Sequence, residues 1–262
     1  MDRAMVLVFI LILASVTLHV FGNSFMAEQD SAALSSALNV FSSLAALLAV
    51  LLVYASVAED EVKRKAWSFL SLGFALWVLG ELAWMAQVVF FNNLVPYPSI
   101  ADLFWILGYP FLFGGLMYRL NSIGFSQDKV TAVNILLLVV GIAFAAVLML
   151  TMPKVFSLSA VHLDQTLNLV YSVGDLVLFV LAASVAFFFA AESVSLAGPN
   201  LSKAWIIFAV GFAIHAVYDV FFSFFISFDS YSSGSSFDFL YDVAYATIAL
   251  GAFLLSDVSS RY

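Results

Sequence analysis

Four carboxylic acids of this chain lie inside long apolar segments, where an ionisable side chain is costly and needs a reason. They are Glu81, Asp175, Asp219 and Asp242, and His215 lies one helical turn before Asp219. Carboxylates and an imidazole within a membrane can hold a proton or a cation. We therefore expect these five residues to form a ligand or cation site, with His215 tuning Asp219.

His215 and Asp219 also suggest a metal site, because their spacing presents both side chains on one helical face. A metal needs three or four ligands, and Asp242 and Glu81 are the candidates that would complete the set. An oxygen-rich divalent cation site fits these residue types better than zinc does. Two simpler interpretations stay open: a histidine bonded to its own helix neighbour, and acids that are buried, neutral and structural.

A second chemistry follows from two short strings, SVGD at 172–175 and Tyr218-Asp219. They resemble the paired sequences of presenilin-type intramembrane aspartyl proteases. That resemblance implies that Asp175 and Asp219 would share a proton and activate water. Other catalytic patterns, such as Gly-x-Ser-x-Gly or His-Glu-x-x-His, are absent from the sequence. We expect a non-enzymatic protein, with an intramembrane hydrolase, aspartyl or metal-dependent, as the alternative.

Further polar and aromatic residues accompany these acids. The strings Ser99-x-x-Asp102 and Ser235-x-x-Asp238 have the form of a capping box, so we expect these four residues to cap helices. Aromatic and amide side chains near the acids are predicted to line a cavity: Trp77, Trp84, Tyr218, Tyr241, Tyr245, Asn39 and Asn168.

The composition places these residues in a membrane. The chain is 64% hydrophobic and 10% charged, whereas soluble domains are about 25% charged. The sequence has no Cys, which excludes iron–sulfur clusters and c-type haem, and we expect no retinal because none of the five lysines falls within a predicted span. Runs of about 20 apolar residues predict eight transmembrane helices, at 4–22, 36–57, 66–91, 99–118, 131–152, 166–191, 204–227 and 238–257.

The chain carries an internal repeat. Residues 65–84 and 203–222 share Lys, Ala, Trp, Gly, Phe and Ala in register, and Glu81 falls opposite Asp219. We predict two parallel four-helix repeats, 1–125 and 126–262, within one all-α membrane domain.

The basic residues predict the orientation. Eight of the nine fall on one side of an eight-span arrangement, and only Lys154 falls on the other. The positive-inside rule then makes both termini cytoplasmic, with the first span retained rather than cleaved. In this orientation Glu81 and Asp219 lie about 23 Å from the cytoplasmic helix ends, in the outer half of the bilayer.

Residues 65–119 resemble the polytopic membrane regions that precede diguanylate-cyclase or histidine-kinase modules in prokaryotic signalling proteins. The resemblance rests on Trp77, Gly80-Glu81, Trp84, the string PSIAD at 98–102 and Gly108-Tyr109-Pro110. It implies a sensory module in a prokaryotic-type cell membrane. No output module follows Tyr262 in this sequence, so we expect signalling through a protein partner.

The net charge of −8 argues against nucleic acid as a partner. We therefore expect a multi-pass binding module in the lipid bilayer, either a sensor or a cation- or proton-coupled transporter. The alternatives are the hydrolase and a structural subunit of a larger membrane complex.

Overall fold

The part of the chain that the computed structural model describes comprises residues 25–123, 163–192 and 198–259, with residues 10, 13–19, 21, 131, 135 and 139 outside these ranges. All regular secondary structure in this part is helical. The six long helices are α1 Glu28–Ser56, α2 Glu61–Phe91, α3 Ile100–Asn121, α4 Leu163–Glu192, α5 Gly198–Ser227 and α6 Phe239–Ser259.

Each of these helices lies on a predicted span and is long and apolar enough to cross a membrane. The prediction of an all-α, multi-pass membrane protein is therefore confirmed. The predicted spans 4–22 and 131–152 fall largely outside the described residues, although residues 13–19 are helical.

Capping residues set the ends of the helices. The Asp60 carboxylate accepts a hydrogen bond from the backbone N–H of Lys63 at 2.9 Å and so begins α2. The same helix ends at Asn92, whose φ of 50° places it in the left-handed region. A capping box of Ser99 and Asp102 begins α3.

The first described helix extends beyond its predicted start. Glu28 and Asp30 occupy the first turn of α1, ahead of the apolar run that begins near residue 36. Acids are favourable at a helix N-terminus because they oppose the helix dipole, so the helix continues into polar sequence. Hydropathy alone therefore underestimates the length of this helix.

The six helices form a closed ring in which each helix packs on the next and α6 packs on α1. Two helices also meet across the centre, since Trp67 and Trp205 have ring centroids 5.7 Å apart and Phe74 and Phe212 6.2 Å apart. Each of these pairs joins two positions that are 138 residues apart in the sequence. Helices α2 and α5 therefore present corresponding faces to each other.

Glycine permits a close helix contact in each half of the ring. A Cβ atom added to Gly73 of α2 would lie 3.0 Å from the backbone nitrogen of Leu112 on α3. A Cβ atom on Gly211 of α5 would lie 2.9 Å from the backbone nitrogen of Ile248 on α6. Both helix pairs thus pack backbone to backbone at a glycine.

Apolar side chains cover the outside of the bundle, and polar ones lie within it. Leu48, Phe90 and Phe91 are 60–76% exposed, as expected for side chains that face lipid. In contrast, Glu81 is 3% exposed and Asp175 is fully buried. This arrangement places the ionisable groups inside the bundle, where they can contact one another rather than lipid.

Candidate functional site

A half-enclosed cavity lies between the helices and holds about 540 Å³ of empty space, its mouth included. Most of its lining is aromatic, and the remainder consists of acids, one histidine and one amide. The lining residues are Asn39, Trp77, Glu81, Trp84, Tyr97, Asp102, Trp105, Tyr109, Tyr171, His215, Tyr218, Asp219, Phe222, Tyr231 and Tyr241.

Nine of the lining rings form a closed belt in which each ring contacts the next. Their centroids are 4.5–6.4 Å apart, which is the range of favourable aromatic contacts. The belt draws on α2, α3, α4, α5 and α6, and it fixes the shape of the cavity. In order around the belt the rings are Trp77, His215, Tyr241, Tyr218, Phe222, Trp84, Trp105, Tyr171 and Tyr109.

An acid–histidine cluster lies at one part of this belt. One ligand atom from each of Asp175, His215 and Asp219 lies within 4.8 Å of the others, and all three residues are buried. His215 Nδ1 lies 3.2 Å from Asp175 Oδ2, and the Tyr109 hydroxyl donates to Asp175 Oδ1 at 2.6 Å. Both oxygens of Asp175 are thus engaged by the protein, so this residue orients His215.

The other ring nitrogen of His215, Nε2, differs from Nδ1 in its hydrogen bonding. His215 is 2% exposed, and its Nε2 has no hydrogen-bond partner among the described residues. A carboxylate beside Nδ1 holds the ring proton on that atom and leaves Nε2 as an acceptor. A buried polar atom without a partner is costly, and this one belongs to a residue that lines the cavity.

The cluster has three ligands, the number found in catalytic zinc sites. A metal held by Asp175, His215 and Asp219 would compete with the contact between Asp175 and His215 Nδ1, because that contact already occupies one carboxylate oxygen. Within this cluster, the His215 Nε2 atom and the Asp219 carboxylate are the ligands that the contact between Asp175 and His215 leaves unoccupied.

Glu81 lines the same cavity as Asp219 and lies outside the three-residue cluster. Its Oε1 accepts a hydrogen bond from the Tyr245 hydroxyl at 3.0 Å. Neither Lys nor Arg is among the cavity-lining residues in the described part of the chain. The acids at the cavity therefore lack a fixed positive counter-charge.

The structure does not bring Asp242 to this site. Its Oδ1 accepts from Ser42 at 2.8 Å, its Oδ2 accepts from Ser15, and it lies 3.5 Å from His19 Nδ1. Asp242 follows the cavity residue Tyr241 and is rotated by about 100° around α6. It therefore points toward α1 and the N-terminal segment, and the expected five-residue site separates into two clusters.

The predicted capping acids differ in their surroundings. Asp102 lines the cavity and accepts from the Tyr171 hydroxyl at 2.6 Å in addition to its capping role. Asp238 lies just before α6 and accepts from the Gly234 N–H at 2.8 Å and the Ser235 hydroxyl at 3.0 Å. Burial raises the pKa of Asp238 to about 6, although these hydrogen bonds oppose the increase.

Five of the residues predicted to line a cavity do so: Trp77, Trp84, Tyr218, Tyr241 and Asn39. The other two lie behind its wall.

Tyr245 donates to Glu81, and the Asn168 side-chain oxygen accepts from the Tyr97 hydroxyl at 2.6 Å.

Sequence reasoning missed several rings of the wall, including Tyr97, Tyr171 and Tyr231. Helical spacing could have indicated two other rings of the wall, because Tyr109 follows Trp105 by four residues and Phe222 follows Tyr218 by four. The tyrosines at 97 and 231 lie in loops, where no helical periodicity can indicate their direction.

No protein-family model matches the chain, and neither a curated protein nor a solved structure matches it. The function must therefore be argued from the site itself.

Proposed function

We propose that this protein is a membrane-embedded binding module that takes a cation or a proton into the aromatic cavity, as a sensor or as a cation- or proton-coupled transporter. One observation carries the proposal. The buried His215 Nε2 lacks a partner in the described structure and belongs to the same cavity as the Asp219 and Glu81 carboxylates. An electron-rich nitrogen and two acids without a Lys or Arg at the cavity wall favour a positively charged ligand.

The proposed architecture is eight spans in two parallel four-helix repeats, 1–125 and 126–262. The contacts between α2 and α5 support it, because Trp77 stacks on His215 at 4.7 Å, and these positions are again 138 residues apart. A two-fold axis parallel to the helices brings each position against its counterpart, whereas an inverted repeat does not. Both termini are then cytoplasmic, and the cavity faces the outside of a prokaryotic-type cell membrane.

A sensor would transmit binding through a signalling or membrane-complex protein partner, in line with the resemblance of residues 65–119. A transporter would instead open the cavity alternately to the two sides. Both forms require the same step, which is stabilisation of positive charge by Asp219 and its neighbours.

The experiment is thermal unfolding of the detergent-purified protein between pH 4 and 9, with and without Ca²⁺, Mg²⁺, Mn²⁺ or Zn²⁺. A ligand that binds only the folded state raises its stability in proportion to the logarithm of ligand concentration. We expect a pH or ion response that Asp219→Asn and Glu81→Gln reduce and that the exposed control Glu59→Gln leaves unchanged. Identical responses in all four proteins would contradict the proposal and favour a structural subunit.

A second function has support from one distance. Asp175 and Asp219, on adjacent helices, approach within 4.8 Å, as an aspartyl hydrolase requires. The engagement of both Asp175 oxygens by Tyr109 and His215 opposes it, because a dyad needs an oxygen free for water. Cleavage of a fluorogenic transmembrane peptide that both Asp175→Asn and Asp219→Asn abolish would establish the hydrolase; the binding module should show no cleavage.

A further inference from the structure

We propose that the ligand of the cavity is an organic ammonium ion that carries at least one N–H group. This inference rests on the proposed function and narrows it from cations in general to one chemical class.

The belt of rings is the first reason. The cavity is walled by the π faces and edges of nine contacting rings, and such faces attract cations that are weakly hydrated. Hard cations such as Ca²⁺ need six to eight oxygen ligands, and Mg²⁺ needs a near-octahedral oxygen set. The lining carries carboxylate, amide and tyrosine oxygens, but most of its residues are aromatic, and their ring faces supply no ligand to these cations and can enclose the hydrocarbon part of an amine.

Charge and size agree with this class. Glu81 and Asp219 lie on opposite helices of the central pair, and both line the cavity without a Lys or Arg among the described lining residues. Their charge attracts a cation and disfavours an anion. The cavity, its mouth included, holds about 540 Å³ of empty space, more than a bare metal ion fills.

The imidazole adds the requirement for an N–H group. Asp175 occupies Nδ1 of His215 and leaves Nε2 as the acceptor atom of a ring that lines the cavity. A protonated amine can donate one N–H to Nε2 and place its charge beside Asp219. A quaternary ammonium ion would satisfy the rings and the acid, but it would leave Nε2 without a partner.

The test uses four probes that share a cyclohexyl ring, on the purified full chain: cyclohexylammonium, its N,N,N-trimethyl derivative, cyclohexanol and cyclohexanecarboxylate. Binding is followed by tryptophan fluorescence, since three of the five Trp residues line the cavity, and by the thermal midpoint. We expect cyclohexylammonium to bind most tightly, the quaternary ion more weakly, and the neutral and anionic probes not measurably.

Two variants locate the binding, and each has a matched control. Trp105→Leu removes one ring of the belt and should weaken cyclohexylammonium binding roughly threefold to thirtyfold, whereas Trp105→Phe keeps a ring and should retain most of it. Asp219→Asn should weaken binding by about tenfold or more, and the exposed Glu59→Gln should leave it unchanged. The four-probe series on the unaltered protein stands even if a variant fails to fold.

The outcomes separate the two proposals. An Asp219-dependent response to pH or to a metal ion without any binding of cyclohexylammonium would overturn the ammonium inference and leave the proposed function intact. Equal binding of the quaternary ion or of cyclohexanol would also overturn it. No response to any probe, ion or pH change would overturn both.

Discussion

The described part of the molecule contains two buried histidine–aspartate pairs, and they differ in how completely they are hydrogen-bonded. In the first pair, His19 Nδ1 lies 3.5 Å from Asp242, and His19 Nε2 lies 3.0 Å from the Ser35 hydroxyl. In the second pair, His215 Nδ1 lies 3.2 Å from Asp175, and Nε2 has no partner in the described structure. The first pair is saturated by its own protein, and the second is not.

This difference separates a structural role from a binding role. Fully satisfied polar networks lock helices in place, and their removal exposes several groups at once. A buried atom left without a partner lowers stability and is retained where a ligand completes it. The pair between the N-terminal segment and α6 should therefore control stability, and the pair at the cavity should control binding.

The largest expected effect on stability comes from Asp242→Ala. It leaves the Ser15 and Ser42 hydroxyls without their acceptor, and each buried group that loses its partner costs about 1–3 kcal/mol. Asp219→Asn keeps the shape of the cavity acid and should cost about 1 kcal/mol. Unfolding of both variants in detergent measures this difference, and equal losses would contradict the division into structural and binding pairs.

The pH dependence of stability tests the pair of His19 and Asp242 through Asp238, which is joined to it by Ser35. Asp238 accepts from Ser35, the same hydroxyl that contacts His19 Nε2, and burial raises the pKa of Asp238 to about 6. Between about pH 4 and 6 the folded state therefore binds more protons than the unfolded state, so its stability falls as the pH rises. This increase in the pKa of Asp238 corresponds to a change of about 3 kcal/mol in the free energy of unfolding.

The measurement is the difference in unfolding free energy between the unaltered protein and Asp238→Asn across that range. We expect the advantage of the unaltered protein over Asp238→Asn to shrink as the pH rises from 4 to 6, with little change above 6. A difference that grows in favour of the unaltered protein with rising pH would contradict the argument.

Substitution of the two histidines compares the pairs directly. His19→Phe removes contacts to Asp242 and Ser35 and should cost about 2 kcal/mol, because two buried groups lose a partner. His215→Phe keeps a ring in the belt and removes one contact, to Asp175, so the loss should be about 1 kcal/mol. The same His215 variant should lose preference for an ammonium ion with N–H over a quaternary one, and His19→Phe should not.

The sequence predicted the helices well because crossing a membrane requires a long apolar run. It also predicted that Glu81 and Asp219 are comparable positions, and both line one cavity. It placed Asp242 wrongly with them, because the direction of a side chain depends on helix rotation. Two neighbours of Asp242 in the structure are Ser15 and His19. Both lie more than 200 residues away in the sequence, so no local pattern could reveal them.

The belt of rings was only partly predictable for a related reason. Apolar membrane helices contain aromatic residues on every face, so composition cannot tell a ring that faces lipid from one that faces a cavity. Phe90 is 75% exposed, whereas Trp77 is 1% exposed, although both belong to α2. Only the packing of α2 against α5 distinguishes them.

The smallest expected effect comes from removing one hydrogen-bond donor from Glu81, an acid of the cavity. Tyr245→Phe removes the hydroxyl that donates to Glu81 Oε1 at 3.0 Å, and it keeps the ring that packs against His215. The fold should lose about 1 kcal/mol, the net value of one hydrogen bond.

If Glu81 serves the ligand, the released oxygen becomes available to it, and cyclohexylammonium should bind at least as tightly as in the unaltered protein. Tyr109→Phe is the matched control: it frees Oδ1 of Asp175, the residue whose Oδ2 positions His215, so a similar loss of stability should come with weaker binding. Weaker binding in Tyr245→Phe as well would show that Glu81 depends on this tyrosine for its position, and the acid would then belong with the structural groups.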